Sequence, residues 1–247
     1  LASAAVGKIA ALTGGLPHAD EEWSATLSAA LRPSLSEAAL QHSVTLVALA
    51  LRHAPHLIRA HLPPLVGALV TRLRAARLFG LTQALLLLLA RLALSAHVGA
   101  PLLTQTLLAI DPTPPPADGA ASFVLRTWAD SQGDVLKPAV AQPMLAGLIA
   151  IVGALGAVGA PQLALLPVRG SALAPAAGEG RSLRSSSRRR GGVGGGFGEM
   201  PLVARVVQLC ATAHTTAEHA ANFAGTGPRA FDESDAEEEG SEEDDGE

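Results

Sequence analysis

The sequence predicts an all-α fold, and three observations carry that reading. Leu and Ala, both strong helix formers, dominate a chain that is 49% hydrophobic. Aromatic residues make up only 3%, with no Tyr, so the β-branched and aromatic supply of a β-sandwich or barrel is missing. Apolar residues recur at helical spacing between Pro and Gly punctuation along most of the 247 residues, a length able to bury a sizeable core. The single Cys excludes an intrachain disulfide framework and a multi-thiolate zinc site.

Taken in order, Ala4 to Leu12 reads as a helix ending at Gly14-Gly15, and Asp20 caps a second from Glu21 to Leu31. Ser34 is expected to cap a third, with Leu40, Val44, Val47 and Leu51 on its apolar face, stopping near Pro55. Pro63-Pro64 opens a fourth, where Leu62, Leu65, Val66, Leu69, Val70 and Leu73 fall on one face. Gly80 is read as the break before Leu81 to Ser95. Pro101 suits the first turn of Leu102 to Ile110. The run Asp111-Pro-Thr-Pro-Pro-Pro116 forbids further helix. Helix resumes over Ala120 to Asp130 and from about Val135 to Leu155, then again from Pro201, with Leu202, Val203, Val206, Leu209, Cys210 and Ala213 on one stripe. That makes about nine helices and no convincing strand. A compact bundle and a stack of helix pairs at a ~40–47-residue period both fit; starts near Ser34, Leu81 and Ala120 suit the stack. Leu65, Leu69, Leu73, Leu85, Leu89 and Trp128 are expected to be buried.

The domain reading is a helical array over 1–169, a Gly/Ser/Arg-rich disordered loop over 170–198, a further helix over 199–221 and an acidic disordered loop over 222–247. The chain opens at Leu1 rather than Met, and a fragment or processed product is expected. No secretory signal is evident. Met144 to Leu166 is apolar and long enough to span a bilayer, which gives a second reading: a membrane-associated helical protein with its span near 144–166 and the Arg run as its flank.

The net charge of −4 averages two unlike regions. Asp232 to Glu247 holds 11 of the 22 acids and no base, leaving the remainder net positive. Those acids are Asp232, Glu233, Asp235, Glu237, Glu238, Glu239, Glu242, Glu243, Asp244, Asp245 and Glu247. Such a run repels nucleic acid and attracts basic proteins. The basic run from Arg181 through Arg184 to Arg188-Arg189-Arg190 reads as a phosphate-binding stretch, a localisation signal or a solvated loop. It lacks the interleaved aromatics on which bases stack.

Catalysis finds no support. No Gly-x-Ser-x-Gly elbow, Walker sequence or zinc-protease helix is present, and Gly191 to Gly198 lacks the Lys-Ser or Lys-Thr of a phosphate loop. Cys210, His214 and Glu218, with His219 adjacent, are ligand types, but residues eight apart on a helix are ~12 Å apart, too far for one ion. His53, His56 and His61 have no nearby acid in sequence and read as surface or inter-helix histidines. No metal or cofactor is expected.

The succession of features resembles the importin-β (karyopherin-β) superfamily of nuclear transport receptors. The residues that carry it are Leu85-Leu-Leu-Leu-Leu-Ala-Arg-Leu92, Pro101-Leu-Leu, the Pro-rich loop, Phe123-Val124 with Trp128, the Arg181 to Arg190 run, Met200-Pro201-Leu202-Val203 and the Asp232 to Glu247 run. The likeness implies a right-handed superhelical α-solenoid of HEAT repeats, an armadillo-type fold, from the C-terminal part of such a receptor. It further implies a non-enzymatic role: carrying basic cargo such as histones and ribosomal proteins, under control of the GTPase Ran through the full-length receptor, while shuttling between cytoplasm and nucleus. The 11 acids would then contact cargo. Neither direct nucleic-acid binding nor a membrane is implied.

Overall fold

A computed structural model describes residues 25–26, 29–32, 34–111, 119–170 and 198–225, with side chains as far as 217. The first two expected helices fall largely outside these residues, as do the disorder expected within 171–197 and beyond 225. The chain divides into two units, Leu1–Cys210 and Ala211–Glu247.

The first unit is built on helices, as the sequence predicts. They are α1 (Glu37–His53), α2 (Pro55–Ala60), α3 (Leu62–Ala75), α4 (Phe79–Leu94), α5 (Gly99–Ile110), α6 (Ala120–Gln132), α7 (Pro138–Ala154) and the start of α8 (Leu202–Gly225). Ser36, not Ser34, caps α1: its Oγ accepts from Ala39 N at 3.3 Å, and Glu37 occupies the first turn. The helix expected to stop near Pro55 is followed at once by a short one, because Pro55 at N1 restarts helix without needing its missing N–H. Gly80 is not a break. It lies in the first turn of α4, and the chain turns at Ala76–Leu78, where the Glu37 carboxylate accepts from Arg77 N at 3.0 Å and Leu78 N at 2.9 Å.

The helices form two layers. In one, α4 lies between α1 and α7; in the other, α5 lies between α3 and α6. Glu37 at the start of α1 meets the start of α4, and the far ends of both line one groove, so α1 and α4 run parallel. Arg74, near the end of α3, pairs with Asp111 just after α5, so those two also run parallel. The connection from α1 to α3 carries α2 and that from α4 to α5 is only Ser95–Val98, yet the succession α1–α3 is repeated in the same sense by α4–α5. The third pair enters reversed. The start of α6 sits beside Asp111, making α6 the antiparallel neighbour of α5 within its own layer, and α7 then crosses to the other layer. Ala120 therefore does not open a third unit of the same kind.

The helix α4 is apolar almost all round and touches neighbours on several sides. Its tightest contact is with α7, where a Cβ on Gly147 would lie 2.7 Å from Ala90 Cα. Leu65, Leu69, Leu73, Leu85, Leu89 and Trp128 are all buried, as expected.

Met144 to Leu166 is not one helix. The helix α7 ends at Ala154, Gly159 adopts a positive φ of 76°, and Pro161–Leu165 is a 3-10 turn. Among the described residues no helix is long and apolar enough to cross a membrane. Two short strands, which the sequence did not predict, follow: β1 (Pro167–Arg169) pairs antiparallel with β2 (Glu199–Pro201), Val168 opposite Met200. The last helix accordingly begins at Leu202 and not before. In the second unit Ala211–Gly225 is helical, and the Thr215 and Thr216 hydroxyls both donate to Thr212 O.

Candidate functional site

The strand pair joins the two ends of segment 171–197 and builds a polar cluster beside α6. Gly170 N donates to Gly198 O at 3.0 Å, and Leu202 N donates to Leu166 O at 2.9 Å. Two side chains of α6 hold the strand from below: Arg126 Nε donates to Pro167 O at 3.3 Å, and Asp130 Oδ1 accepts from Arg169 N at 2.8 Å. Arg126 and Asp130 are four residues apart and so share one helix face. Each of these bonds replaces a water contact that the turn backbone would otherwise need.

Arg205 completes the cluster. Sequence spacing left it off the apolar stripe of α8, yet it is 4% exposed. Its Nη1 donates to Gln208 Oε1 at 2.7 Å, and Nη2 would lie 3.1 Å from a Cβ at Gly133, just past the end of α6. A cation there faces the negative end of the helix dipole. Burial pushes the guanidinium below the usual arginine value, while the carboxylates of Asp130 and Asp134 act in the opposite direction. Gln132 fixes the next turn by donating from Nε2 to Ala141 O at 2.9 Å.

Above this cluster lies an open cavity of about 600 Å³, lined by Arg126, Asp130, Pro167, Val168, Arg169 and Glu199. Two guanidiniums and two carboxylates line its rim, and Arg126 and Asp130 among them already bond the strand backbone. No nucleophile with an adjacent base is among them.

The sequence-predicted site residues lie elsewhere. All 11 acids from Asp232 to Glu247, and the run Arg181 to Arg190, are outside the described residues. His53 and His56 are exposed at the α1–α2 junction; His61, ahead of α3, is half-buried with its Nε2 unpartnered. Among the described residues no three His, Cys, Asp or Glu side chains are placed to hold a metal ion. Cys210 is half-buried at the edge of the core, and His214 is exposed. The expected α8 stripe needs correction: Leu202, Val206 and Leu209 are buried, but Val203 is 42% exposed and Ala213 is exposed. A rotation of the stripe by one position brings Arg205 inward instead. The signal available in sequence was the 202–205–206–209 spacing, which is itself a helix face.

Comparison with protein-family models, with curated proteins and with solved structures finds no match to this chain.

Proposed function

We propose that the chain is a cargo-binding piece of a nuclear transport receptor, on the importin-9 branch of the importin-β superfamily. The observation that carries the reading is the repetition of α1–α3 by α4–α5. Matching helices run parallel within each layer, and the two units begin at Glu37 and Phe79, a spacing inside the ~40–47 residues of a HEAT unit. The reversed α6–α7 pair departs from strict alternation, so the repeat reading covers α1 to α5. A HEAT superhelix would offer an extended surface for a protein partner.

The acids from Asp232 to Glu247 follow α8 in sequence and supply the charge for basic cargo such as histones and ribosomal proteins. They act as a summed field, since single exposed ion pairs contribute only ~0.2–1 kcal/mol. Ran acts through the full-length receptor, and no covalent chemistry or cofactor is required. Histone binding tests the reading. Replacing all 11 acids by Asn and Gln is expected to weaken binding far more at 0.1 M salt than at 0.5 M, because the screening length falls from ~10 Å at 0.1 M towards ~3 Å at 1 M. Glu238→Gln alone is expected to change little. Equal histone affinity of the neutralised and original chains at low salt would remove the acidic run from the mechanism.

A further inference from the structure

A second open cavity, of about 610 Å³, lies between the parallel ends of α1 and α4. Its apolar floor is formed by Ala48, Leu49, Leu51 and Leu94. Leu94, the last residue of α4, is 48% exposed, an apolar side chain with room above it. The hydroxyls at the edge are already engaged: Thr45 Oγ1 donates to Gln41 O at 3.1 Å, and Ser95 Oγ accepts from His97 N at 3.2 Å.

Charge on this groove has one sign. Arg52 and Arg91 stand on its two sides, both exposed, and among the described residues no carboxylate lines it. Neither arginine forms an ion pair or hydrogen bond among the described residues. Arg74, by contrast, reaches Asp111 at 2.8 Å. Both free guanidiniums sit in last helical turns, where they also offset the helix dipoles. That role needs only the charge. It does not require an apolar floor between them.

We infer that the α1–α4 groove docks an acidic amphipathic helix of a partner protein. A large apolar side chain of the partner enters between Leu49 and Leu94, and carboxylates on either side of it pair with Arg52 and Arg91. Guanidinium matches carboxylate in planar, two-point geometry, which favours Glu and Asp as the partner's flanking residues. Partners here carry the opposite charge to the basic cargo proposed above.

The probe is a fluorescein-labelled synthetic helix of about four turns, Leu on one face and Glu on the other, titrated with the full chain by anisotropy. Saturable binding is expected, about five- to tenfold weaker with R52Q/R91Q, as two open charge pairs imply. Leu94→Ser is expected to weaken it as well. The swap R52E/R91E is expected to lose the Glu helix and to gain affinity for the same helix carrying Lys, a reversal that a purely dipole-offsetting role would not produce. Replacing Arg181, Arg184, Arg188, Arg189 and Arg190 by Gln is expected to leave binding unchanged, and R52Q/R91Q to leave histone binding unchanged. The inference is overturned by no saturable binding up to ~1 mM, an affinity below the weakest useful contact. It is equally overturned by binding that survives R52Q/R91Q, by loss of binding on replacing the 181–190 arginines, or by equal displacement with a DNA duplex.

Discussion

The helices α4 and α8 are both rich in Leu, Val and Ala, yet the fold uses them in opposite ways. In α4, Leu81, Leu85, Leu86, Leu88, Leu89, Ala90, Leu92 and Ala93 are all buried, because α1, α7, α5 and α3 surround it. Within the first unit α8 buries only Leu202, Arg205, Val206 and Leu209, while Val203 and Val207 face outward. Beside those apolar side chains, polar contacts hold it: the Leu202–Leu166 backbone bond, the strand pair that precedes it and Arg205 at the end of α6. Composition alone does not separate the two helices. The number of neighbours does, and it sets where a substitution is felt. Core side chains lose transfer energy and leave a cavity, whereas a single-sided helix relaxes around the loss.

Equal truncations in the two helices therefore give unequal losses. Leu89→Ala, at a fully buried position, is expected to destabilise the first unit by about 2–5 kcal/mol, and Leu209→Ala, 8% exposed, by about 1–2 kcal/mol. Val207→Ala, 65% exposed, is expected to stay within about 0.5 kcal/mol. Denaturant midpoints at constant slope report all three. Equal costs for Leu89 and Leu209 would mean that α8 is as deeply packed as α4.

A sharper contrast lies within α7. Gly147 meets α4 so closely that a Cβ would lie 2.7 Å from Ala90 Cα and Cβ, whereas nothing lies within 4 Å of one at Gly153. Gly147→Ala is expected to cost about 1–3 kcal/mol by overpacking. Gly153→Ala is expected to stabilise by about 0.5–1 kcal/mol, since Ala restricts the unfolded chain and favours helix. Opposite signs in thermal melts are the result to look for. Stabilisation by both would show that the α4–α7 backbones can separate at little cost.

Helices were legible in the sequence wherever a 3.6-residue apolar period met a Pro, as at Pro63-Pro64 and Pro101. Ends fixed by distant partners were not. Nothing local to Ala76–Leu78 announces that a carboxylate some 40 residues earlier will satisfy its N–H groups. The β1–β2 pair is hidden for a similar reason: three-residue strands have too short a pattern, and β1 is held by Arg126 and Asp130, some 40 residues earlier on α6. The reversal of α6 and α7 was hidden because a Pro-rich loop shows where a helix stops but not which layer the next one joins. Of the candidate sites, the acidic run was plain in composition, but the Arg52–Arg91 groove was not, since its two sides come from different helices.

A small effect is expected at the junction where α6 follows α5. Arg74 at the end of α3 pairs with Asp111 at 2.8 Å and also lies over the Phe123 ring of α6, 5.5 Å from its centre. One side chain thus touches the residue just after α5 and a residue in the first turn of α6. Its side chain is 43% and that of Asp111 33% exposed, so solvent screens the pair and its coupling is expected to be only ~0.2–1 kcal/mol. The ring contact adds a similar amount at such an exposed site. Arg74→Ala and Asp111→Asn in a double-mutant cycle isolate the ion pair, and Arg74→Ala with Phe123→Leu isolates the ring contact. Salt separates the two: the Arg74–Asp111 coupling should shrink as screening rises, while the Arg74–Phe123 coupling should persist more fully. Arg74→Lys should retain part of the first and less of the second, because a compact ammonium lacks the flat guanidinium face. Coupling energies near zero for both pairs would leave the turn direction to the apolar packing of Val124, Leu125 and Trp128 alone, with Arg74 merely resting on a junction that the core already fixes.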